Sequence, residues 1–355
     1  MDTFLLKNGK IFNGERFFAG DILIENEKIA AIGENIDLPT QAIVIDCTDC
    51  IITSGLVDIH VHFLEMGNEK FGFPADLASI PFGVTYAVDV CAEQTDLSRV
   101  ENLAVETKVF VEIGVKDGEL DVENVEKKLT LYGDRAIGLK AYFDDSLGNG
   151  FTFEHLIKAC EFARKRGLKM MVHCSYSPSP MIDIVKIFQK GDIITHAYHG
   201  GYHTIEENDY QAFKQAKAKG VIIDAGMAGG VHTDFAVLKR ALEQGFEPDV
   251  ISSDITKFSA FKRGGIYGLP MCMSIMKLLG LSEEKVFKAV TKSAASAVGQ
   301  EDWFGLKIGN GATMSLLKWE NTPISIVDGA GNRVESAQGY VCKLTMKNGK
   351  ILYRN

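Results

Sequence analysis

Two histidines lie one residue apart in an apolar run, at His60 and His62 of the stretch GLVDIHVHF (55–63). Side chains alternate between the two faces of a strand, so Asp58, His60 and His62 share one face and the apolar residues between them share the other. A strand with one polar face is either an edge strand in contact with water or part of the wall of a functional interior.

Other residues with polar, chemically useful side chains occur near the ends of later apolar runs. They are Lys140 in AIGLKAYF, His173 in KMMVHC, His196 in DIITHAY and Asp254 in VISSDI. In a parallel barrel the carboxyl ends of all strands meet at one face, so these side chains are expected to converge with His60 and His62. An edge strand would explain the two histidines but would leave the other four residues unexplained.

Imidazole nitrogens and a carboxylate are ligands that suit zinc or a similar divalent metal. Lys140 does not fit at first, because an ammonium group cannot bind a cation. A desolvated lysine, however, favours the neutral amine, which can add carbon dioxide and become a carbamate whose two oxygens could bridge two metals. A salt bridge between Lys140 and Asp254 is the other explanation, and Lys140 alone does not decide between them.

The middle of the chain repeats one pattern, in which an apolar, β-branched run precedes an amphipathic segment. Two of these segments end at glycine, at Gly167 and Gly220, as helices often do. The predicted strands are 56–63, 84–90, 108–114, 136–143, 169–174, 192–198, 221–226 and 250–255. Eight alternating units in about 250 residues predict a (β/α)₈ TIM-like barrel of α/β class, with a doubly wound open sheet as the alternative.

Both ends of the chain have a β-strand pattern. Leu5–Phe12 and Thr345–Leu352 each place Asn-Gly between short β-prone segments, which predicts a hairpin turn in both. Further strands are predicted within Asp21–Gly33, Met314–Trp319 and Tyr340–Met346. We therefore expect a small discontinuous β-sandwich domain from residues 1–54 and 306–355, with the barrel domain, 55–305, inserted between them.

Composition restricts the partners. The chain has 355 residues and a formal net charge of −9, which argues against a nucleic-acid or anionic-membrane surface and leaves a small-molecule substrate. The sequence has neither a transmembrane run nor a signal peptide pattern at its start. Seven scattered cysteines favour a reducing compartment, so a cytoplasmic location is expected. Cys47 and Cys50 have C-x-x-C spacing, but with no second pair they are expected to be structural.

The segments GLVDIHVHF, GLKAYF, MVHCS, THAYHG and SSDI together resemble the amidohydrolase superfamily of metal-dependent hydrolases. The resemblance covers nearly the whole chain, including the split β domain. Within the superfamily the chain is most similar to a deacetylase-like branch whose members are often labelled dihydroorotase or adenine deaminase. KGDIITHAYHG and GFEPDVISSDI carry this closer similarity.

The resemblance implies a centre of two divalent metals, zinc by expectation, with each ligand assigned by position. His60 and His62 would hold the more buried metal with Asp254, and His173 and His196 would hold the other. Lys140, carboxylated by carbon dioxide, would bridge them. A metal-bridging hydroxide would attack the substrate carbonyl, Asp254 would carry the proton to the leaving group, and Asp58 would orient the histidine strand.

The substrate is less well defined. Dihydroorotases usually place an arginine two positions after the second histidine, where this chain has Leu64, so the donor for the substrate carboxylate is missing. Loop residues that could contact substrate are His199, His232, Lys257 and Arg263. The last two belong to a basic cluster with Lys262, which could attract an anionic group.

The leading hypothesis is hydrolysis of an amide or ester, most plausibly deacylation of a compact carboxylate-bearing molecule. Cyclic-amide hydrolysis of the dihydroorotase type and purine or adenine deamination would use the same centre. A catalytically silent scaffold is the alternative from another class, although such relatives typically lose ligands, and none is lost here. A homo-oligomer is compatible with the sequence.

Overall fold

The computed structural model describes residues 2–64, 71–90, 101–262, 267–301 and 305–355. Arg263, one of the predicted substrate contacts, lies outside the described residues. Two large sheets organise the chain, one built from its middle and one from its two ends. Among the described helices, none has both the length and the hydropathy that a membrane crossing needs.

The elements are numbered in chain order. The strands are β1 (Phe4–Phe12), β2 (Phe17–Glu25), β3 (Lys28–Gly33), β4 (Ile43–Asp46), β5 (Cys50–Ser54), β6 (Leu56–Val61), β7 (Val84–Asp89), β8 (Glu106–Glu112), β9 (Val115–Lys116), β10 (Glu119–Leu120), β11 (Ala136–Tyr142), β12 (Lys169–His173), β13 (Ile193–Thr195), β14 (Ile222–Ile223), β15 (Met314–Val327), β16 (Arg333–Lys347) and β17 (Lys350–Arg354). The helices are α1 (Ala75–Ser79), α2 (Val122–Tyr132), α3 (Phe153–Lys165), α4 (Met181–Ile187), α5 (Glu207–Lys219), α6 (Phe235–Glu243), α7 (Lys257–Lys262), α8 (Leu269–Leu278), α9 (Glu283–Ala289) and α10 (Lys292–Ala297).

The middle of the chain forms the predicted barrel. Its parallel sheet has the order β14-β13-β12-β11-β8-β7-β6, and the segment 250–255 closes the gap between the two edges. That segment forms bridges to both neighbours, Asp224 to Val250 on one side and Val61 to Ile255 on the other. The eighth predicted strand therefore occupies the expected place, although its ladder is reduced to isolated bridges.

Helices cover the outside of the sheet where the amphipathic pattern predicted them. Thr152 caps α3 by accepting a hydrogen bond from the His155 backbone, and Gly167 just beyond this helix has φ 67°. Gly220 ends α5 in the left-handed region, with φ 73°. Both helices therefore end at a glycine whose left-handed backbone conformation has no steric cost for that residue.

The strands from the two ends form one mixed sheet in the order β17-β16-β15-β5-β1-β2-β3, with β4 also pairing with β1. Its strands enclose a separate apolar core that includes Leu6, Ile24, Ile52 and Leu344. This arrangement confirms a β-rich unit built from both termini beside a barrel. The exact boundaries at 54 and 306 stay a prediction.

One of the two predicted hairpin turns is wrong. Asn348-Gly349 does turn between β16 and β17, but Asn8-Gly9 lies inside the continuous strand β1. There the register shifts, and β1 changes its partner on one side from β4 to β5. Asn8 has φ 65° and its amide donates to Asp21 Oδ1 at 2.9 Å, so the left-handed residue forms a bulge rather than a turn.

The two Cys-x-x-Cys thiols belong to the core of the terminal sheet. Cys47 and Cys50 are free and buried, and burial raises the pKa of Cys47 to about 12. A thiol of this kind carries almost no thiolate at neutral pH and is a poor nucleophile or metal ligand. The structural interpretation of this motif therefore agrees with its environment.

Candidate metal centre

Three predicted ligands meet where the barrel closes. His60 on β6 and His62 just beyond it face Asp254 of the closing segment. The Nε2 atoms of His60 and His62 lie 3.4 and 2.9 Å from Asp254 Oδ1. All three side chains are buried, and one ligand atom from each lies within 4.8 Å of the other two. This cluster could hold one divalent ion.

A second cluster lies beside the first and contains three imidazoles. His173 ends β12, His196 follows β13, and His232 follows the short 3₁₀ helix 228–230. Ring centroids of His173 and His196 are 4.4 Å apart, and His232 lies 4.7 and 4.4 Å from them. The centroid distance of 5.0 Å between His60 and His196 joins the two clusters.

Lys140 joins the first cluster from β11. Its side chain is fully buried, and Nζ lies 3.4 Å from His60 Nε2. The position next to the imidazoles is the one that a bridging group would need.

Buried partners fix the orientation of His60, His173 and His196. His60 Nδ1 lies 3.0 Å from Thr195 Oγ1, and that hydroxyl donates to Asp224 Oδ2 at 2.7 Å. His173 Nε2 lies 2.8 Å from Asp144 Oδ2, and His196 Nδ1 lies 2.6 Å from the carbonyl oxygen of Gly226. Each of these three rings thus has one nitrogen engaged by the protein and one left for the centre, the arrangement typical of metal-binding histidines.

The electrostatics favour neutral imidazoles around an ionised carboxylate. Burial, followed by the charge of Lys140, lowers the pKa of His60 to about 4, and burial also lowers the pKa of His173. Burial would raise the pKa of Asp254, but its interaction with His60 and its hydrogen bond with His62 outweigh this effect and leave that pKa below the usual range. Neutral nitrogens and a carboxylate are the protonation states that bind a metal.

Two predicted ligands have a strained backbone. His196 has φ 61° and Asp254 has φ 49°, in the left-handed region that non-glycine residues rarely adopt. Such conformations cost about 1–3 kcal/mol each and occur preferentially at functional sites. The surrounding hydrogen bonds, including the one that the Asp254 amide donates to the His60 carbonyl at 2.8 Å, hold the chain in place.

The carboxylates of Asp58 and Asp89 hold the backbone of the segments that carry His60, His62 and Asp254. Asp58 Oδ1 accepts a hydrogen bond from the Ser253 amide at 3.1 Å, and burial raises the Asp58 pKa to about 7. Asp89 at the end of β7 accepts from the amides of Phe63 and Leu64 at 2.6 and 3.0 Å. Phe63 and Leu64 are buried in the main core, which leaves no path for the Leu64 side chain to reach a ligand.

A cavity of about 470 Å³ opens above both clusters. Besides the predicted ligands, its described lining has the apolar and aromatic residues Phe71, Tyr142, Leu147, Val231 and Phe258 and the polar residues Glu112, Asn149, Thr256 and Ser259. No lysine or arginine is among the described residues that line it. The cavity is therefore suited to a small molecule with an apolar body.

The predicted substrate contacts are not all found at this cavity. His232 lines it and belongs to the second cluster. His199 is buried outside the lining, where its Nδ1 accepts a hydrogen bond from the Gly201 amide at 3.1 Å. Lys257 begins α7 next to the lining residues Thr256 and Phe258.

Sequence reasoning missed Asp144 and assigned His232 to substrate alone. Asp144 follows Lys140 by four residues, and its hydrogen bond to His173 depends on the course of the loop after β11. The only sequence signal was an aspartate just past a predicted strand end. No local pattern distinguishes His232 from a histidine on any surface loop.

The donor set fits a divalent metal. Five imidazoles, one carboxylate and one amine converge in a buried site, and His62 Nδ1 has no hydrogen-bond partner among the described residues. Without a cation, such a set would leave lone pairs of buried nitrogens unsatisfied, which is costly. Imidazole and carboxylate ligands suit zinc and its first-row neighbours.

Comparison with known proteins identifies the relatives of this arrangement. No family model matches the chain. A deacetylase of Enterococcus faecalis is 25% identical over 348 residues, which cover 92% of this chain and 92% of that protein. Two solved structures, a dihydroorotase and an adenine deaminase, each superpose with a TM-score of 0.86 at 22% identity, covering 100% of this chain and 98% and 100% of theirs.

Because the two solved structures are only 22% identical to this chain, their superposition shows a shared fold and no more. The match to the deacetylase is a similarity of sequence along nearly the whole chain. The barrel of this chain has two groups of residues that could each hold a divalent ion. The chain is accordingly similar in sequence to a deacetylase along nearly its whole length, and it shares the fold of a dihydroorotase and an adenine deaminase.

Proposed function

We propose that the chain removes a compact acyl group from a small molecule by hydrolysing an amide or ester bond at a centre of two divalent ions. His60, His62 and Asp254 would hold one ion, His173 and His196 would hold the other, and Lys140 would bind both. The observation that carries the proposal is the convergence of two adjacent ligand clusters on a cavity, with a buried lysine amine 3.4 Å from His60 Nε2.

The bridging role requires Lys140 to be carboxylated. Its neutral Nζ adds to the carbon of carbon dioxide, an N–C bond forms as one C=O π bond breaks, and the nitrogen loses a proton to water to give a carbamate anion. Burial favours this anion only when cations compensate its charge, which links lysine modification to metal binding. Zinc is the expected metal, because nitrogen and carboxylate ligands predominate.

When bound, the ions would lower the pKa of a water molecule and polarise the carbonyl of the substrate. Asp254 is placed to accept the proton of the attacking water at a carboxylate oxygen and to donate it to the leaving nitrogen or oxygen. Thr195, Asp144 and the Gly226 carbonyl keep the imidazoles in position during this transfer. The C–N or C–O bond then breaks, and the acid and the protonated leaving group are released.

The cavity supports a substrate with an apolar body rather than a highly polar ring. Phe71, Tyr142 and Phe258 give its wall an aromatic character. An anionic group on the substrate belongs to the same proposal, with Lys257 and Arg263 as its predicted partners. Replacing Lys257 by glutamine tests that part, and an unchanged KM for a carboxylate-bearing substrate would refute it.

Metal content tests the centre itself. The wild-type chain should contain about two divalent ions, and Lys140→Ala should lose metal and activity together. Lys128→Met, at a lysine buried on α2, is the matched control and should retain both. Labelled bicarbonate should give a carbamate signal in the ¹³C spectrum of the wild type only. Full turnover by metal-free Lys140→Ala would rule out the proposal.

A substrate panel distinguishes the reactions open to this centre. It should contain acylated amino and hydroxy acids, hydantoins, dihydropyrimidines and purines. Deacylation is the expected outcome. Ring opening of dihydropyrimidines or release of ammonia from purines would instead support cyclic-amide hydrolysis or deamination. The buried Leu64 argues against the dihydroorotase reaction, since no guanidinium occupies its place.

A cytoplasmic location is the remaining part of the proposal. The cysteines that the structure describes are free thiols, which supports a reducing compartment. Cell fractionation followed by detection of the chain tests this location.

A further inference from the structure

His232 is the histidine of the second cluster that the ligand assignment leaves without a role. It lies on the loop between the 3₁₀ helix 228–230 and α6, and it is partly exposed to the cavity. Its ring is edge-on to His173, at an interplanar angle of 84°, and tilted by 39° to His196. One nitrogen of each of the three rings lies within 4.8 Å of those of the other two.

The orientation of His232 matches that of the other two imidazoles. Its Nδ1 lies 3.1 Å from the hydroxyl of Ser175, a buried residue two positions after His173. His173 and His196 are each anchored through one nitrogen in the same way, by Asp144 and by the Gly226 carbonyl. All three rings therefore have one nitrogen held by the protein and the other free for a shared ligand.

The loop that carries His232 is fixed at both ends. Asp234 donates its backbone amide to the Tyr198 carbonyl at 2.9 Å, and Gly230 accepts a hydrogen bond from the Gly329 amide at 3.1 Å. Asp328 Oδ2 accepts from the Phe235 amide at 2.7 Å. A solvated surface loop would not need these connections, whereas a loop that positions a ligand would.

We infer that His232 is a metal-binding residue and supplies a third imidazole to the ion held by His173 and His196. The inference rests on the proposed metal centre and adds a ligand to it. Three neutral nitrogens favour borderline ions such as zinc or cobalt over magnesium or calcium, which prefer oxygen ligands. The ion site formed by His173, His196 and His232 should therefore discriminate strongly among divalent cations.

Metal titration of the full-length chain tests this role. Metal-free protein would be titrated with Co²⁺ against a chelating indicator, and the visible spectrum of the bound ion recorded. His232→Gln should weaken the binding of one of the two ions by at least about 10-fold, the scale of lost ligand support, and should change its spectrum. The other ion should bind as in the wild type. His203→Asn is the control, because His203 is a partly exposed loop histidine that contacts Glu207 at 3.0 Å.

Ser175→Ala keeps the test informative if His232→Gln does not fold. Removing the hydroxyl that anchors His232 should weaken the binding of the same ion by a smaller factor. The inference would be overturned if His232→Gln bound two ions with the affinity and spectrum of the wild type. If only the KM of this variant were raised, His232 would contact the substrate instead of the metal. A wild-type chain that binds fewer than two ions would refute the proposed function itself, so the two failures are distinguishable.

Discussion

The backbone amide of Asp254 donates a hydrogen bond to the carbonyl of His60 at 2.8 Å, and their side chains meet 3.4 Å apart. The same pair of segments closes the barrel, through the bridge between Val61 and Ile255. Closure of the sheet and assembly of the first ligand cluster are thus one structural event. Because the left-handed backbone of Asp254 is part of it, a change that loosens the closure should also disturb the cluster.

Asp144 should control metal affinity through His173. Asp144→Asn removes the charge that faces His173 Nε2 at 2.8 Å, so the ring loses its orientation and part of its basicity. We expect about 10- to 100-fold weaker binding of one of the two ions, measured by competition with a chelator. The matched control is Asp145→Asn at the exposed neighbouring position, and equal affinities in the two variants would contradict this role.

Leu64→Arg should not create a dihydroorotase. The Leu64 side chain is fully buried in the main core, and its amide is held by Asp89. A guanidinium there would be buried in the core, where the nearby Asp89 carboxylate is already engaged by two backbone amides, so we expect a loss of about 3–5 kcal/mol in the free energy of unfolding. Urea denaturation measures this loss, with Leu64→Met as the control. Measurable hydrolysis of dihydroorotate by a stable Leu64→Arg variant would count against the packing argument.

Glu283 should make the stability of the fold depend on acid pH. Its carboxylate on α9 accepts from Lys10 of β1 at 2.5 Å and from Lys277 and Tyr340 at 2.7 Å each. Burial opposes ionisation, but these hydrogen bonds outweigh it and lower the Glu283 pKa to about 2. A carboxyl whose pKa is depressed on folding stabilises the protein above its unfolded pKa, and that stabilisation is lost as the pH falls towards 2.

The measurement is urea denaturation of Glu283→Gln at pH 7 and at pH 3. At pH 7 the variant should lose about 1–2 kcal/mol, after allowance for the solvent that screens the half-exposed Lys10. At pH 3 the difference from wild type should shrink. Glu123→Gln, in the exposed pair with Lys127, should leave stability unchanged at both values. A Glu283→Gln difference that does not vary with pH would contradict the assignment.

Asp328 should act on the metal centre from the terminal sheet. Its carboxylate accepts from the amides of Phe235, Ala330 and Asn332, so Asp328→Ala leaves these donors unpaired. We expect a loss of about 2–3 kcal/mol in unfolding free energy and weaker binding of the ion near His232. Glu335→Ala, on the exposed side of β16, should change neither. A loss of stability with unchanged metal affinity would reduce Asp328 to a purely structural role.

The barrel and the terminal sheet could be predicted because their signals are local. Strand alternation and helix stops such as Gly167 are properties of neighbouring residues. The two KNGK segments show the limit of such signals, since one turns a hairpin and the other forms a bulge in β1. What distinguishes them is the pairing of β1 on both sides with distant strands, which no local window contains.

The residues of the candidate centre also fall into a group that local sequence predicts and a group that depends on long-range contacts. Its six predicted ligands are on strand ends, where topology alone brings side chains together. Asp144 and His232 are on loops, and their positions depend on long-range contacts such as that of Asp328 with Phe235. The long hairpin of β15 and β16, which provides this contact, was predicted only as two short strands near its base.

That hairpin also sets an order of events during synthesis. All six predicted ligands leave the ribosome before β15 and β16 are made, so the barrel can gather them while the support for the His232 loop is still missing. The second cluster reaches its final shape only after these strands pair with each other and β15 joins β5. Uptake of the second metal ion should therefore come late in the maturation of the chain, after uptake of the first.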